Sequence, residues 1–356
     1  MSTKHRILFQ KAQNLKNIKS ESIDLVITSP PYPMISMWDQ IFSNQNNDIK
    51  EALEQLDGIK AFRLMHEELK KVWSELFRLV VPGGIVCINV GDATRTINKN
   101  FRLYPSHAKI IESFLDLGFQ SLPEIIWRKQ TNAPNKFMGS GMYPPGAYVT
   151  LEHEFILIFR KGKKREFKEE KLKIKRRESS YFWEERNIWF SDIWDFKGIS
   201  QNMNKNNNNN NNTTRKRSGA FPFELAFRLI NMFSIKGDTI LDPFLGTGTT
   251  SIAAMVSERN SIGVEINSSL NEMIKRKIDD LIPIANSYID KRIKRHLKFI
   301  EKRMESKGPI KYYNENIRSP VITNQEIKLK INFLKSIKKI NENEYLVNYC
   351  ENKPNN

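Results

Sequence analysis

Short apolar runs alternate with helical patterns along most of this chain, and that alternation limits its fold more than any other feature. Apolar runs predict strands at residues 23–28, 85–90, 124–128, 154–160, 239–241 and 261–266. Helical spacing of apolar residues predicts helices at residues 63–80, 106–117, 222–233 and 249–257. Strands that alternate with helices require crossover connections, which place neighbouring strands parallel. We therefore expect an α/β fold with a mostly parallel sheet.

Composition narrows the class of protein. Apolar residues make up 39% of the 356 residues, and no run of about 18 apolar residues predicts a membrane span. The cysteines are only Cys87 and Cys350, so we expect no disulfide framework and a cytoplasmic location. The five histidines are scattered without zinc-ligand spacing, so no metal is expected. The formal net charge of +17 favours a nucleic-acid partner, although an AT-rich genome that overuses lysine would give the same excess.

A first motif, TSPPY at residues 28–32, directly follows a predicted strand and supplies the candidate catalytic residues Ser29, Pro30, Pro31 and Tyr32. Successive prolines remove two amide donors, which leaves acceptors at the strand end where open α/β sheets bind ligands. The Ser29 hydroxyl and the Pro30 carbonyl can each accept one N–H of an exocyclic amino group while the Tyr32 ring stacks on the base. These two bonds would free the nitrogen lone pair for attack on a methyl group. Ordinary proline loops contain the same residues, so the motif alone leaves both interpretations open.

A second motif, LDPFLGTGTT at residues 241–250, also follows a predicted strand. Gly246 and Gly248 allow a ligand to approach the backbone closely at the start of a helix. Glu265, at the end of the next strand, occupies the place where an acidic residue binds ribose hydroxyls in doubly wound folds. No P-loop motif is present in the sequence. The second motif therefore predicts a site for an adenosine-containing ligand.

The order of the two motifs resembles that of the permuted, β-class amino DNA methyltransferases, over about residues 7–282. The segments LVVPGG at 79–84, WRK at 127–129, DIW at 192–194 and AFPFEL at 220–225 agree with this resemblance. It implies a Rossmann-like methyltransferase fold with a mostly parallel seven-stranded sheet and a circularly permuted motif order. It also implies S-adenosylmethionine as cofactor. The residues implied to bind this cofactor are Phe221 and Pro222 at its methionine end, Asp242, Phe244, Gly246, Gly248 and Thr249 around the pocket, and Glu265 at its ribose.

The target base is suggested by the first motif position. Serine there resembles the cytosine-N4 enzymes, whereas aspartate or asparagine is commoner in the adenine-N6 enzymes, so Ser29 favours cytosine. One departure concerns the Gly-Asp pair that often precedes the catalytic motif in this family. Gln10 and Lys11 occupy the matching positions, which puts in doubt a contact between this segment and the adenine of the cofactor.

Four segments follow from this interpretation. Residues 1–160 would form the catalytic half, 161–217 a basic target-recognition insert, 218–285 the cofactor-binding half, and 286–356 a basic extension of unknown role. Residues 160–177 contain eleven Lys or Arg in eighteen positions, and residues 206–212 form an unbroken asparagine run that predicts a mobile loop. The basic run is a candidate for phosphate contacts, with a solvated charged hairpin as the alternative. Core packing is favoured for Trp183, Trp189 and Trp194.

The sequence therefore predicts a methyltransferase that acts on N4 of a flipped cytosine in double-stranded DNA. Its partner would be a cognate restriction endonuclease, and no membrane is expected. Three alternatives remain open, namely an adenine-N6 DNA methyltransferase, an RNA methyltransferase and a non-catalytic DNA-binding relative. The sequence does not identify the group that takes the proton from the attacking nitrogen.

Overall fold

The structure is a computed structural model that describes residues 2–129, 138–198 and 221–353. The asparagine run at 206–212 therefore lies outside the described residues, as does Ala220. The strands are β1 Ser2–Phe9, β2 Ile23–Thr28, β3 Val80–Val90, β4 Ala93–Ile97, β5 Asn100–Tyr104, β6 Phe119–Arg128, β7 Met138–Gly139, β8 Ala147–Tyr148, β9 His153–Lys161, β10 Ile193–Asp195, β11 Thr239–Asp242, β12 Asn260–Glu265, β13 Tyr312–Asn314, β14 Ser319–Val321, β15 Phe333–Asn341 and β16 Glu344–Cys350. The helices are α1 Asp39–Gln45, α2 Asn47–Glu54, α3 Gly58–Leu79, α4 Ser106–Asp116, α5 Glu170–Glu178, α6 Trp183–Trp189, α7 Phe223–Phe233, α8 Thr249–Val256, α9 Asn271–Asp279 and α10 Leu281–Lys307.

Within the described residues, ten strands form one large sheet in the order β10-β6-β9-β3-β2-β11-β12-β1-β16-β15. The five central strands β3, β2, β11, β12 and β1 are parallel to one another. Strand β9 is antiparallel to both of its neighbours, β3 and β6. The predicted α/β class and the mostly parallel sheet are thus confirmed.

The sheet is three strands wider than the seven predicted. Strand β10 pairs with β6 on one side of the sheet, and the β15–β16 hairpin pairs with β1 on the other side. An uncovered β1 would present unpaired backbone groups to solvent, and the hairpin satisfies them. The side chain of Asn286 in α10 fixes this hairpin, since it accepts from the Leu334 amide at 2.8 Å and donates to the Leu334 carbonyl at 2.9 Å.

Helices cover both faces of the sheet. Helix α3 begins at its cap Asp57, whose side chain accepts from the Lys60 amide at 3.0 Å. It buries a stripe that includes Leu69, Val72 and Trp73 against one face of the sheet, beside α4. Helices α7, α8 and α10 contribute to the hydrophobic core on the other face. No helix within the described ranges is long and apolar enough to cross a membrane.

Candidate active site

The two sequence motifs meet at the edge of the sheet that is formed by the carboxyl ends of its parallel strands, although more than two hundred residues separate them. Because TSPPY supplies the predicted catalytic residues, we call this the catalytic edge. Strands β2 and β11 are parallel neighbours, with Leu25 beside Ile240 and Val26 beside Leu241. TSPPY begins with the last residue of β2, and the Gly-rich loop leaves the end of β11. The Thr28 hydroxyl donates to Asp242 Oδ1 at 2.7 Å, which joins the motifs directly.

Asp242 holds the Gly-rich loop from inside. Its carboxylate also accepts from the Thr250 hydroxyl at 2.5 Å and from the Phe244 amide at 3.0 Å. The side chain is 2% exposed, and this burial raises its pKa to about 6. Three donors converge on this carboxylate, so it holds the loop in this shape.

Glycine is required twice in this loop. Gly246 has φ +56° and Gly248 has φ +87°, a backbone region that disfavours other residues. A Cβ atom at Gly246 would have only the Phe244 carbonyl near it, at 4.0 Å, so the space beside this backbone is open. Gly248 caps α8, and Thr249 is the first residue of that helix. The loop thus leaves open space beside its backbone near a helix N-terminus, as a ligand-binding turn needs.

Glu265 lies across this space at the end of β12. Its Oε2 accepts from the Gly246 amide and its Oε1 from the Asn267 amide, both at 2.8 Å. Burial raises the pKa of this half-buried carboxyl. A carboxylate has about four acceptor positions, so each oxygen keeps one for a ligand hydroxyl. An oriented carboxylate beside an open glycine turn fits the ribose of S-adenosylmethionine.

The other predicted cofactor contacts lie at the same edge. Helix α7 leads directly into the start of β11, so its N-terminus, with the buried Phe221 and Pro222, is at the edge where β11 ends. Gln10 follows β1, and its amide group exchanges hydrogen bonds of 3.2 and 3.0 Å with the side chain of Asn17. The segment that departs from the Gly-Asp pattern therefore uses its polar side chain within its own turn.

A chain of hydrogen bonds starts at Ser29. Its hydroxyl donates to Tyr32 Oη at 3.0 Å, and Tyr32 Oη donates to Glu154 Oε2 at 3.0 Å. Asn89 Nδ2 donates to Tyr32 Oη at 3.0 Å and to Glu154 Oε2 at 2.6 Å. The Lys129 ammonium forms an ion pair with Glu154 Oε1. Burial, and then the charge of Glu154, raise the pKa of Tyr32 well above its ordinary value, so its phenol stays neutral.

Gly91 makes this packing possible. A Cβ atom there would lie 3.2 Å from both the Tyr32 ring and the Glu154 side chain. The Tyr32 ring is 9% exposed as a result of this close packing, so only a small part of it is left to contact a base.

Sequence reasoning missed three members of this chain of hydrogen bonds, namely Asn89, Glu154 and Lys129. Asn89 is the one polar residue in the run at 85–90, and Glu154 directly precedes the apolar residues 155–159. Lys129 belongs to the WRK segment, which was noted without a role for the lysine. For Asn89 and Lys129 the available signal was a polar residue at the end of an apolar strand, since such ends form the ligand-binding edge. Glu154 is near the start of its strand and gave no such signal.

The basic run at 160–177 follows β9 at the opposite edge of the sheet, where the parallel strands begin. Strand β9 is antiparallel to β3, so it ends where the parallel strands begin. Arg165 confirms the placement, because it pairs with Asp238 at 2.7 Å and with Asp24 at 3.2 Å, both at strand starts. The end of β9 and Arg165 therefore lie at the opposite end of the parallel strands from TSPPY, and the phosphate contacts expected of the run at 160–177 are not placed beside a base held there.

A different segment adjoins the catalytic edge. The loop between β6 and β9 leaves the sheet at Arg128 and returns at His153, which pair with each other at that edge. Its described part carries large side chains that are almost fully exposed, among them Met142 at 82% and Tyr143 at 79%. Of the predicted core tryptophans, Trp189 and Trp194 are buried, whereas Trp183 is 41% exposed and stacks on Phe299.

Comparison with known proteins gives a consistent result. A family model described as DNA methylase matches residues 23–276. The type II methyltransferase M.MthZI of Methanothermobacter thermautotrophicus is 52% identical over 356 residues, which cover 99% of this chain and 97% of that protein. The type II methyltransferase M.MjaI of Methanocaldococcus jannaschii is 49% identical over 290 residues, which cover 78% of this chain and 92% of that protein.

Solved structures agree on the fold. A protein assigned as a DNA modification methylase from Thermus thermophilus, solved with S-adenosyl-L-methionine, is 32% identical with a TM-score of 0.59, over 78% of this chain and 96% of that one. The cytosine-N4-specific PvuII DNA methyltransferase shares the fold alone, at 14% identity and a TM-score of 0.54 over 78% of this chain and 88% of that one. The chain therefore belongs to the DNA methylase family, and its cofactor is S-adenosylmethionine.

Proposed function

We propose that this enzyme methylates N4 of a cytosine flipped out of double-stranded DNA. The observation that carries the proposal is the bond from Thr28 to Asp242, which holds the residue before Ser29 against the cofactor loop. A base bound at Ser29 and a cofactor bound at Gly246 and Glu265 would then be neighbours. Such proximity is the main requirement of a direct transfer between two bound reactants.

The cofactor pocket is proposed to use the residues that surround the open glycine turn. Glu265 would accept the ribose hydroxyls, and the loop around Gly246 would pass beside the adenosine. When bound, S-adenosylmethionine supplies an electrophilic methyl group. The residues proposed to line its pocket are Phe221, Pro222, Asp242, Phe244, Gly246, Gly248, Thr249 and Glu265.

The target amino group is proposed to bind between Ser29 and Pro30. The Ser29 hydroxyl, which already donates to Tyr32, keeps its lone pairs free to accept an N–H. The Pro30 carbonyl accepts the second N–H, and Pro31 keeps the loop rigid. With both hydrogens held, the nitrogen lone pair turns out of conjugation with the ring and toward the cofactor side.

Extraction of the base needs a further contribution. Flipping costs a few kcal/mol, and stacking in the pocket returns about 1–3 kcal/mol. Tyr32 has little exposed ring, so its return lies at the low end of this range. We propose that the exposed Met142 and Tyr143, on the loop at the catalytic edge, contact the duplex and fill the vacated place in the stack.

Nucleoside mass spectrometry of DNA from cells that express the protein tests the proposal. We expect N4-methylcytosine with the wild type and its strong reduction with Ser29→Ala, while cofactor affinity stays unchanged because Ser29 does not line the cofactor pocket. N6-methyladenine instead would keep the enzyme and refute cytosine as target. The absence of both modified bases would direct attention to RNA substrates. The absence of measurable cofactor binding would indicate a non-catalytic relative.

A restriction endonuclease is the proposed biological partner, in the sense of a second enzyme with the same recognition sequence. Support comes from the relatives, which are named type II methyltransferases. Sequencing of the modified bases would give the recognition sequence. DNA modified in this way should then resist one endonuclease of matching specificity, and cleavage of fully modified DNA would refute the pairing.

A further inference from the structure

Methyl transfer to an exocyclic amino group leaves a surplus proton on the attacking nitrogen. We propose that Glu154 accepts this proton through a relay of two hydroxyl groups, those of Ser29 and Tyr32. The inference rests on the proposed function, because it takes Ser29 to contact the target nitrogen. It applies equally to a cytosine and to an adenine amino group.

The relay is continuous in the structure. Ser29 Oγ lies 3.0 Å from Tyr32 Oη, and Tyr32 Oη lies 3.0 Å from Glu154 Oε2. Each of these hydroxyl groups is the donor toward Glu154. A proton that enters at Ser29 can therefore leave at Glu154 without any side chain changing place.

The direction of the relay is fixed by the hydrogen-bond capacity of Tyr32. A phenol oxygen has one proton to donate and accepts about two hydrogen bonds. Tyr32 Oη accepts from Ser29 and from Asn89 Nδ2, which leaves its own proton directed at Glu154. Asn89 is an amide and takes no proton itself, so its function here is to orient the phenol and the carboxylate.

The proton balance is complete without a further reactant. As the bond from the methyl group to nitrogen forms, the bond from the methyl group to the cofactor sulfur would break and leave a neutral thioether. At the same time one N–H bond breaks and a bond from that proton to Ser29 Oγ forms. The former Ser29 proton passes to Tyr32 Oη, and the former Tyr32 proton passes to Glu154 Oε2. Both hydroxyl groups end neutral, Glu154 ends protonated, and it later loses the proton to solvent.

The groups around Glu154 leave its Oε2 to the relay. Lys129, just after β6, pairs with Glu154 Oε1, the oxygen that the relay does not use. The neighbours Asn89, on β3, and Gly91, just after it, are uncharged. Helix α4 presents His107, which lies 2.7 Å from Asp92 and stacks on Phe155; successive strand residues face opposite sides, so this pair lies away from Glu154.

Other carboxylates of the site do not connect to Ser29. Asp242 accepts from Thr28, Thr250 and the Phe244 amide, and Glu265 accepts from two backbone amides. Within the described ranges, Glu154 is the carboxylate to which the Ser29 hydroxyl leads. It is also a positioning residue for Tyr32, and the test must separate that role from proton acceptance.

Glu154→Gln separates the two roles. Glutamine keeps the shape and an oxygen that accepts from Tyr32, but it takes no proton. Glu152→Gln is the matched control, since Glu152 lies two residues earlier and pairs with the exposed Arg128. The measurement is the single-turnover rate of methyl transfer at saturating cofactor and DNA, over the pH range in which each variant stays folded, together with both affinities.

We expect Glu154→Gln to slow transfer by at least about tenfold with both affinities unchanged, because a positioned proton acceptor contributes about 10²–10⁴-fold. The fall of the wild-type rate at acid pH should disappear in this variant. Glu152→Gln should match the wild type in rate and pH profile. A Glu154→Gln rate within tenfold of the wild type, or an unchanged pH profile, would overturn the relay.

Tyr32→Phe provides a second route to the same answer if Glu154→Gln binds the cofactor poorly. It keeps the ring and removes the middle hydroxyl, so transfer should slow as much as in Glu154→Gln. The double variant should be no slower than either single variant, since members of one relay act as a unit. Additive losses would refute the relay. A wild type that methylates no DNA would overturn relay and proposed function together, whereas an active wild type beside an unaffected Glu154→Gln would overturn the relay alone.

Discussion

Thr28→Val tests the hydrogen bond that links the TSPPY motif to the Gly-rich loop. Valine has the shape of threonine, so the substitution removes the hydroxyl that donates to Asp242 without leaving a cavity at this fully buried position. Asp242 keeps its bonds from Thr250 and from the Phe244 amide. A hydrogen bond to a charged group contributes about 1.5–3 kcal/mol, so we expect a loss of about 2 kcal/mol in the free energy of unfolding at neutral pH.

The loss should depend on pH in a defined direction. Burial raises the pKa of Asp242 to about 6 in the folded protein, from an ordinary value of 3.8. Above about pH 6 the carboxylate is charged and the full loss applies. As the pH falls through 6 the folded protein binds the proton before the unfolded chain does, and the loss should shrink toward the value of about 1 kcal/mol for a neutral hydrogen bond.

Equilibrium urea unfolding at about pH 8 and about pH 5 would measure both values. Thr3→Val is the matched control, because Thr3 is also buried and its hydroxyl contacts His5 and Tyr349 at 2.8 and 2.7 Å. Burial lowers the pKa of His5 to about 3, so this control should lose the same free energy at both pH values. If Thr28→Val loses no more free energy of unfolding than Thr3→Val, both at about pH 8 and at about pH 5, the hydrogen bond from Thr28 to a charged Asp242 does not stabilise the protein as proposed.

Three further variants, two single and one double, test the placement of the sites. Gly246→Val should abolish cofactor binding in calorimetry, because it puts a branched side chain at φ +56° into the open space of the turn; wild-type affinity would remove this turn from the pocket. Glu265→Gln should weaken cofactor binding by about tenfold or more, since one end of its amide would face a backbone N–H with another donor; an unchanged dissociation constant would exclude Glu265 from the ribose site. Charge reversal of the exposed Lys164 and Lys171 should change DNA affinity by less than about twofold at physiological salt, where charges more than about 8 Å apart are screened, and a large loss would place DNA at that edge.

The strands that the sequence predicted most accurately are those buried on both faces. Strand β2 begins and ends at the predicted residues, and β12 differs from the prediction by one residue at each end. Both lie in the parallel centre of the sheet, where burial on two faces demands a continuous apolar run. The edge strands lack that demand. Strand β10 has three residues, and β15 intersperses lysines among its apolar residues, so neither gives the signal of a buried strand.

The two motifs could be predicted to meet because each follows a strand of a parallel sheet, and the carboxyl ends of such strands share one edge. The same reasoning would misplace the basic run. It follows an apolar strand as the motifs do, but β9 is antiparallel to its neighbours, so its end lies at the other edge. The direction of a strand is decided by long-range pairing, and a single sequence does not reveal it.

That reversal also explains why Glu154 was overlooked. Residues at the start of a parallel strand lie far from the ligand edge, and Glu154 is near the start of its strand. Because β9 runs the other way, its start lies beside the ends of β3 and β6, where Asn89 and Lys129 are found. One antiparallel strand thus brings a carboxylate to the edge that the parallel strands supply with hydroxyl and amide groups, and it is this carboxylate to which the hydrogen bonds from Ser29 lead.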